Sequence, residues 1–268
     1  MKFQSQCKVN VLKSIEMNEE SVCFPISVDR KIGLTFVDTP ANFNASVLQS
    51  HLHPQEMNYY KGLITDKRIF SYMIGRYVAK RSVSLLTEER LLERIWIDQG
   101  ILNQPILRYA NLCNHQVSIS HSGGLAVGLV YPESFPMGID LEVTPSLRKA
   151  NLIKSYMTES EIMLAKRIIF PFNEVITLLW TMKEALSKVL RVGLTTPLSL
   201  LEINKLELSS KGFVTGSYTH FTQYSSYSYI GEEFISSIVV PKQLAWDGQE
   251  FKQLFHSFSQ NHRVIGEN

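Results

Sequence analysis

Apolar and polar residues alternate over Ser21-Val22-Cys23-Phe24 and again over Gly33-Leu34-Thr35-Phe36-Val37, which predicts short strands. From about Pro54 the period lengthens. Ile69, Tyr72, Met73, Tyr77, Lys80 and Val83 recur at three- and four-residue steps, with Arg68, Arg76 and Arg81 toward other faces, and predict a helix. Thr87-Glu88-Glu89-Arg90 reads as a turn or helix start, followed by Ile95-Trp96-Ile97. Gln116 to Ser120 alternates as a strand, breaks at Gly123-Gly124, and gives way to a buried strand over Leu125 to Val130. A turn over Glu133 to Pro136 leads into a strand over Met137 to Val143. Arg148 to Lys166 reads as helical, and a stronger helix runs from Asn173 to Leu190, closed by Gly193. Leu200 to Leu208, Gly212 to Tyr218 and Glu233 to Val240 read as strands, and the tail from Asp247 is polar.

Each half thus holds a long helix and several antiparallel strands, which predicts an α+β fold and raises the prospect of two related subdomains. Direct repetition between the halves is not visible in the residues. The boundaries expected are 1–135 and 136–245 for the two halves, with 246–268 as a polar C-terminal tail. At 268 residues, 44% hydrophobic and 19% charged, the chain is ordinary for a globular protein. A formal charge of +2 gives no electrostatic case for a nucleic-acid partner. Seven scattered histidines and three cysteines (Cys7, Cys23, Cys113) form no zinc spacing and no disulfide framework, so reduced thiols in cytoplasm are the expectation. Met1-Lys2-Phe3-Gln4 opens no apolar signal region, and no window is long enough to span a membrane.

Three segments carry candidate chemistry. In Gly138-Ile139-Asp140-Leu141-Glu142 the two carboxylates stand two residues apart, so a strand would point both to one face and Ile139 and Leu141 to the other. In Trp180-Thr181-Met182-Lys183-Glu184-Ala185-Leu186-Ser187-Lys188, Glu184 and Lys188 project together one helical turn apart, with Lys183 beside them. Three converging carboxylates suit Mg²⁺, and nearby lysines suit a phosphate-bearing substrate. The bland reading of each piece alone is a solvated strand face and a surface ion pair. In Ser118-Ile119-Ser120-His121-Ser122-Gly123-Gly124, hydroxyls, an imidazole and backbone N–H groups could hold phosphate oxygens, or the serines could serve a local turn. A Ser120–His121 nucleophilic dyad is geometrically poor, because neighbours on a strand point to opposite faces.

Taken in order and spacing, these three segments resemble the 4′-phosphopantetheinyl transferases of the larger, monomeric class, the one that includes surfactin-synthetase-activating and enterobactin-synthase enzymes. Lys67-Arg68 and Gly75-Arg76 add to the likeness, which covers roughly residues 50 to 205. The resemblance implies two similar α+β subdomains, each a long helix on a small antiparallel sheet, with the active site in the cleft between them. It implies transfer of the phosphopantetheine arm of coenzyme A to a serine of an acyl or peptidyl carrier protein, with release of 3′,5′-ADP. By the same likeness Asp140, Glu142 and Glu184 would hold Mg²⁺ (or Mn²⁺). Glu184 would also deprotonate the carrier serine, directly or through a metal-bound water. Lys188, Lys183, His121 and Ser120 would contact the phosphates, and Lys67, Arg68 and Arg76 the adenosine 3′-phosphate. A cytoplasmic monomer serving siderophore, polyketide or nonribosomal-peptide synthesis follows from the family. Asn103-Gln104-Pro105 departs from the family's basic-x-Pro element, since neither residue before the proline is basic; Arg108 is the nearest replacement.

Overall fold

A computed structural model of the chain describes residues 17–27, 30–144, 147–209, 212–244, 246 and 248–265; Met1 to Gln4 and Cys7 lie outside the described residues. The chain divides into two units, Met1–Pro136 and Met137–Asn268. Both are α+β with antiparallel sheets. Among the described residues no helix is long and apolar enough to cross a membrane.

In the first unit, strands β1 (Asn18–Ser27) and β2 (Arg30–Asp38) form a hairpin. Helix α1 (Pro54–Tyr60) and the long α2 (Asp66–Thr87) follow, then the hairpin β3 (Trp96–Gln99) and β4 (Pro105–Arg108). Strands β5 (His115–Ser122) and β6 (Leu125–Pro132) complete a four-stranded sheet in the order β1-β2-β6-β5. The expected helix is therefore present and runs on through Thr87; Glu88 ends it in a left-handed conformation at φ 58°. Its face of Met73, Ile74, Val78, Ala79 and Val83 packs with Val37, Ala126 and Val130 of the sheet. The helix backbone lies directly on the strands. A Cβ at Gly128 would fall 2.6 Å from the Val78 carbonyl oxygen, and Ser82 Oγ donates to the Gly128 carbonyl at 2.8 Å.

In the second unit β7 (Gly138–Val143) is followed by α3 (Leu147–Lys154), α4 (Glu159–Ala165) and α5 (Phe172–Leu190). Strands β8 (Ile203–Leu208), β9 (Val214–Tyr218), β10 (Tyr224–Ile230) and β11 (Phe234–Pro241) join β7 in a five-stranded sheet, order β7-β11-β10-β9-β8. The stretch Arg148 to Lys166, expected to be helical, is two helices. Thr158 breaks it, because its hydroxyl accepts from the Glu161 N–H while Glu161 accepts from the Thr158 N–H, a reciprocal start for α4. Strand β10 went unanticipated. Its Ser226 and Ser228 face α5, where a hydroxyl chain links Ser228, Ser237 and Thr181 at 2.6 and 2.7 Å. Its Tyr227 and Tyr229 face the other way, Tyr227 against Trp246 and Tyr229 against Phe255 of α6 (Gln249–Ile265), whose Phe251, Phe255 and Phe258 are buried among Phe234 and Trp246. The expected polar tail therefore contributes core to this unit.

One buried device recurs in both units. Glu56 is the third residue of α1 and accepts from the His53 and Ile97 backbone N–H groups at 2.9 and 2.8 Å, while Lys80 of α2 pairs with it. Glu161 is the third residue of α4 and accepts from the Thr158 and Ile203 N–H groups, both at 2.9 Å, while Lys183 of α5 pairs with it at 2.7 Å. All four side chains are at most 1% exposed. In each unit one carboxylate ties a helix start, a long helix and a strand start together. This is the repetition that the residues alone conceal.

The first of these devices predicts a pH effect. Burial, then the charge of Lys80, holds the His51 imidazole below its ordinary value, with Arg81 adding to this and Glu93 and Glu19 opposing it. Between that lowered value and about 6.5 the unfolded chain binds more protons than the folded one, so stability rises with pH across the window. The urea midpoint is expected to drop on acidification below pH 6.5, and His51→Gln is expected to flatten that part of the profile. An unchanged slope in the variant would place the sensitivity elsewhere.

Candidate functional site

Strand β7 carries the first part of the site. Gly138, Asp140 and Glu142 lie opposite Val239, Ser237 and Ile235 of β11, and these three belong to the sheet face that α5 covers. Ile139 and Leu141 take the opposite face, as strand alternation requires. Ser236 Oγ donates to the Asp140 carbonyl at 2.7 Å and fixes the strand at that point. Gly138 lets α5 come close, since a Cβ there would fall 2.2 Å from the Ala185 carbonyl oxygen.

Helix α5 brings the second part. Its apolar face of Val175, Leu178, Leu179, Met182 and Leu186 is fully buried, which sets its rotation and leaves Glu184 and Lys188 half-buried beside β7. Lys188 Nζ pairs with Asp140 Oδ1 at 2.7 Å and donates to the Ile139 carbonyl at 3.0 Å. The Glu184 carboxyl is pushed up to about 7, first by burial and then by the Asp140 charge; Lys188 pulls it back and Glu142 pushes it further. The two carboxylates of β7 and the one of α5 thus feel one another. The helix ends not at Gly193 but at Arg191, which takes the left-handed position at φ 58° while Val192 N–H reaches back to the Ser187 carbonyl.

Lys183 stands apart from this group. One residue turns a helix by about 100°, so Lys183 points away from Glu184 and into the unit, against Glu161 and the Leu198 carbonyl. A side chain with no exposed surface and three buried oxygen partners is structural, and the expectation of a phosphate contact there is corrected. Lys149, in contrast, escaped the sequence reading. It lies in the first turn of α3 and its Nζ sits 2.7 Å from Glu142 Oε2. The only signal for it is a basic residue in a helix's first turn, where the helix dipole disfavours one.

The first unit holds the remaining candidates. Ser120 is buried and His121 exposed near the end of β5. Lys67 and Arg68 are exposed in the first turn of α2, where Thr65 caps the helix by accepting from the Arg68 N–H. Two turns on, the Arg76 guanidinium lies 4.3 Å from the Tyr72 ring centroid, and its buried Nε makes no hydrogen bond among the described residues. Burial pushes the Tyr72 hydroxyl up to about 12, with Arg76 pulling it down. Asn103 and Gln104 close the loop of the β3–β4 hairpin, and Pro105 opens β4. Gln104 Oε1 accepts from the Leu102 N–H at 2.9 Å, so this side chain clamps its own loop, and Arg108 pairs with Asp98 at 3.3 Å.

Residues 136–239, from β7 almost to the end of β11, match the 4′-phosphopantetheinyl transferase superfamily. The likeness covers this stretch of the second unit. The comparison with curated proteins gives no match. That superfamily transfers phosphopantetheine, with coenzyme A as donor and carrier proteins as acceptors. All of Asp140, Glu142, Glu184 and Lys188 fall within the matched segment. Among the described residues, no group of three or more His, Cys, Asp or Glu side chains stands ready to hold a metal ion. The donor set still fits a hard divalent cation in kind. It is all carboxylate oxygen, and a cation would relieve the repulsion that raises Glu184.

Proposed function

We propose that the protein is an active Mg²⁺-dependent 4′-phosphopantetheinyl transferase that loads the phosphopantetheine arm of coenzyme A onto a serine of an acyl or peptidyl carrier protein. The gathering of Asp140, Glu142, Glu184 and Lys188 along β7 and α5 carries this reading. The serine oxygen attacks the phosphorus that bears the pantetheine arm, the phosphoanhydride P–O bond breaks, and 3′,5′-ADP leaves. The serine proton passes to Glu184, the carboxylate that α5 sets beside β7. Lys188 supplies positive charge where negative charge accumulates on the leaving phosphate.

Asp140, Glu142 and Glu184 would hold the divalent cation, which when bound neutralises pyrophosphate charge. In the first unit, Arg76, whose guanidinium lies over the Tyr72 ring with its Nε buried, and Lys67 and Arg68 at a helix N-terminus, are assigned to the 3′-phosphate. Ser120 and His121 are assigned to the other phosphates; Lys183 is not. Exposed Leu152, Tyr156, Met163 and Ile169, interleaved with Lys154, Lys166 and Arg167, suit an acidic carrier with an apolar contact patch.

The test is the intact mass of a serine-bearing apo carrier incubated with the protein, coenzyme A and Mg²⁺, with a chelator control. A chelator-sensitive gain of one phosphopantetheine arm is expected. No gain on fatty-acid, polyketide and peptide-synthetase carriers, from folded protein, would favour a homologue that binds carriers without modifying them.

A further inference from the structure

The two lysines at the carboxylates are not alike. Lys188 is 24% exposed, extends from the last turn of a long helix, where the helix dipole favours a cation, and is also held by the Ile139 carbonyl. Lys149 is 41% exposed and stands in the first turn of the eight-residue helix α3, where it adds positive charge to the helix's own positive end. Nothing in helix formation favours a lysine at that place. What it gains is Glu142, whose Oε2 lies 2.7 Å from its ammonium. An ammonium at hydrogen-bond distance and a divalent cation cannot share one carboxylate oxygen comfortably, because their charges repel at contact range.

We propose that Lys149 is an internal competitor for the metal: it holds Glu142 when no cation is bound, and a divalent cation must displace it to complete the site. The inference rests on the reading of Asp140, Glu142 and Glu184 as metal-holding residues. It accounts for a lysine held against a carboxylate that the metal reading needs. It also assigns a task to a residue outside the motif, since Lys149 follows Glu142 by seven positions. Its exposure leaves room for the ammonium to swing into solvent once displaced. A partly exposed ion pair is weak, so the competition is modest. Removing the lysine is expected to tighten divalent binding by roughly three- to tenfold.

The experiment titrates Mg²⁺ or Mn²⁺ alone into wild-type protein and into Lys149→Met, Lys149→Gln and Lys154→Met. Heat of binding and the free Mn²⁺ spin-resonance signal report occupancy, and circular dichroism confirms folding. Lys154 lies on the same helix with its ammonium 5.7 Å from the Phe172 ring centroid, so its loss changes charge equally without touching a carboxylate. Both Lys149 variants are expected to bind more tightly, and Lys154→Met to stay within about twofold of wild type. Unchanged or weaker binding in the Lys149 variants overturns the competition, as does equal tightening in Lys154→Met. Asp140→Asn and Glu184→Gln separate this from failure of the metal reading itself. If neither weakens wild-type binding, those carboxylates hold no cation and both readings fall together.

Discussion

Glu184→Gln is expected to lower the rate of carrier modification by about 10³-fold or more, while leaving the protein folded and at least as stable. The two effects have one cause. The carboxyl is buried beside Asp140 and Glu142, and its ionised form is disfavoured there. An uncharged amide of the same shape removes that repulsion from the cation-free protein, so the urea midpoint should hold or rise. The same substitution removes a proton acceptor and a cation-holding oxygen together, and glutamine replaces neither at neutral pH. Initial rates by carrier intact mass, set beside urea unfolding, read both quantities. Retained activity in a folded variant would remove Glu184 from the chemistry; lost activity with a collapsed midpoint would make it a structural residue.

Lys183→Met carries the largest expected loss of stability, about 3–5 kcal/mol, because it leaves the Glu161 charge buried without its ammonium. A second substitution, Glu161→Leu, should recover only part of this. Glu161 also satisfies the Thr158 and Ile203 backbone N–H groups, which would then be left without an acceptor. In the fraction that stays folded, the Michaelis constant for coenzyme A is expected to be unchanged. A raised constant with an unmoved unfolding midpoint would return Lys183 to the ligand site.

Much of this organisation was readable from the residues, and the failures have physical reasons. Asp140 and Glu142 share a face because a strand repeats every two residues, and Glu184 joins Lys188 because a helix repeats every 3.6. The same helical repeat separates Lys183 from Glu184, which adjacency in the motif obscures. Strand β10 was hidden because its buried face is serine rather than aliphatic. The Ser228 hydroxyl meets Ser237, which in turn meets Thr181, partners that only the folded sheet brings near. The division of the helical stretch 148–166 turns on Thr158 and Glu161, a capping pair inside an otherwise continuous helical pattern. Lys149 was invisible for a different reason. Its meaning depends on a contact across a turn, and no periodicity encodes that.

The aromatic seam between α6 and the sheet bears on how the second unit comes into being. Helix α6 follows every strand of its sheet in the chain, so during synthesis Tyr227, Tyr229 and Phe234 are made before Phe251, Phe255 and Phe258 exist to cover them. At roughly 5–20 residues per second the gap between the last strand and those phenylalanines lasts on the order of a second or more. For that interval the nascent sheet presents an uncovered aromatic face, and a ribosome that stalls or terminates before Phe251 would release a chain that keeps it. Such a product holds every carboxylate of the site yet displays a surface suited to chaperone capture and aggregation, so premature termination there would be read by the cell as misfolding rather than as a shortened enzyme.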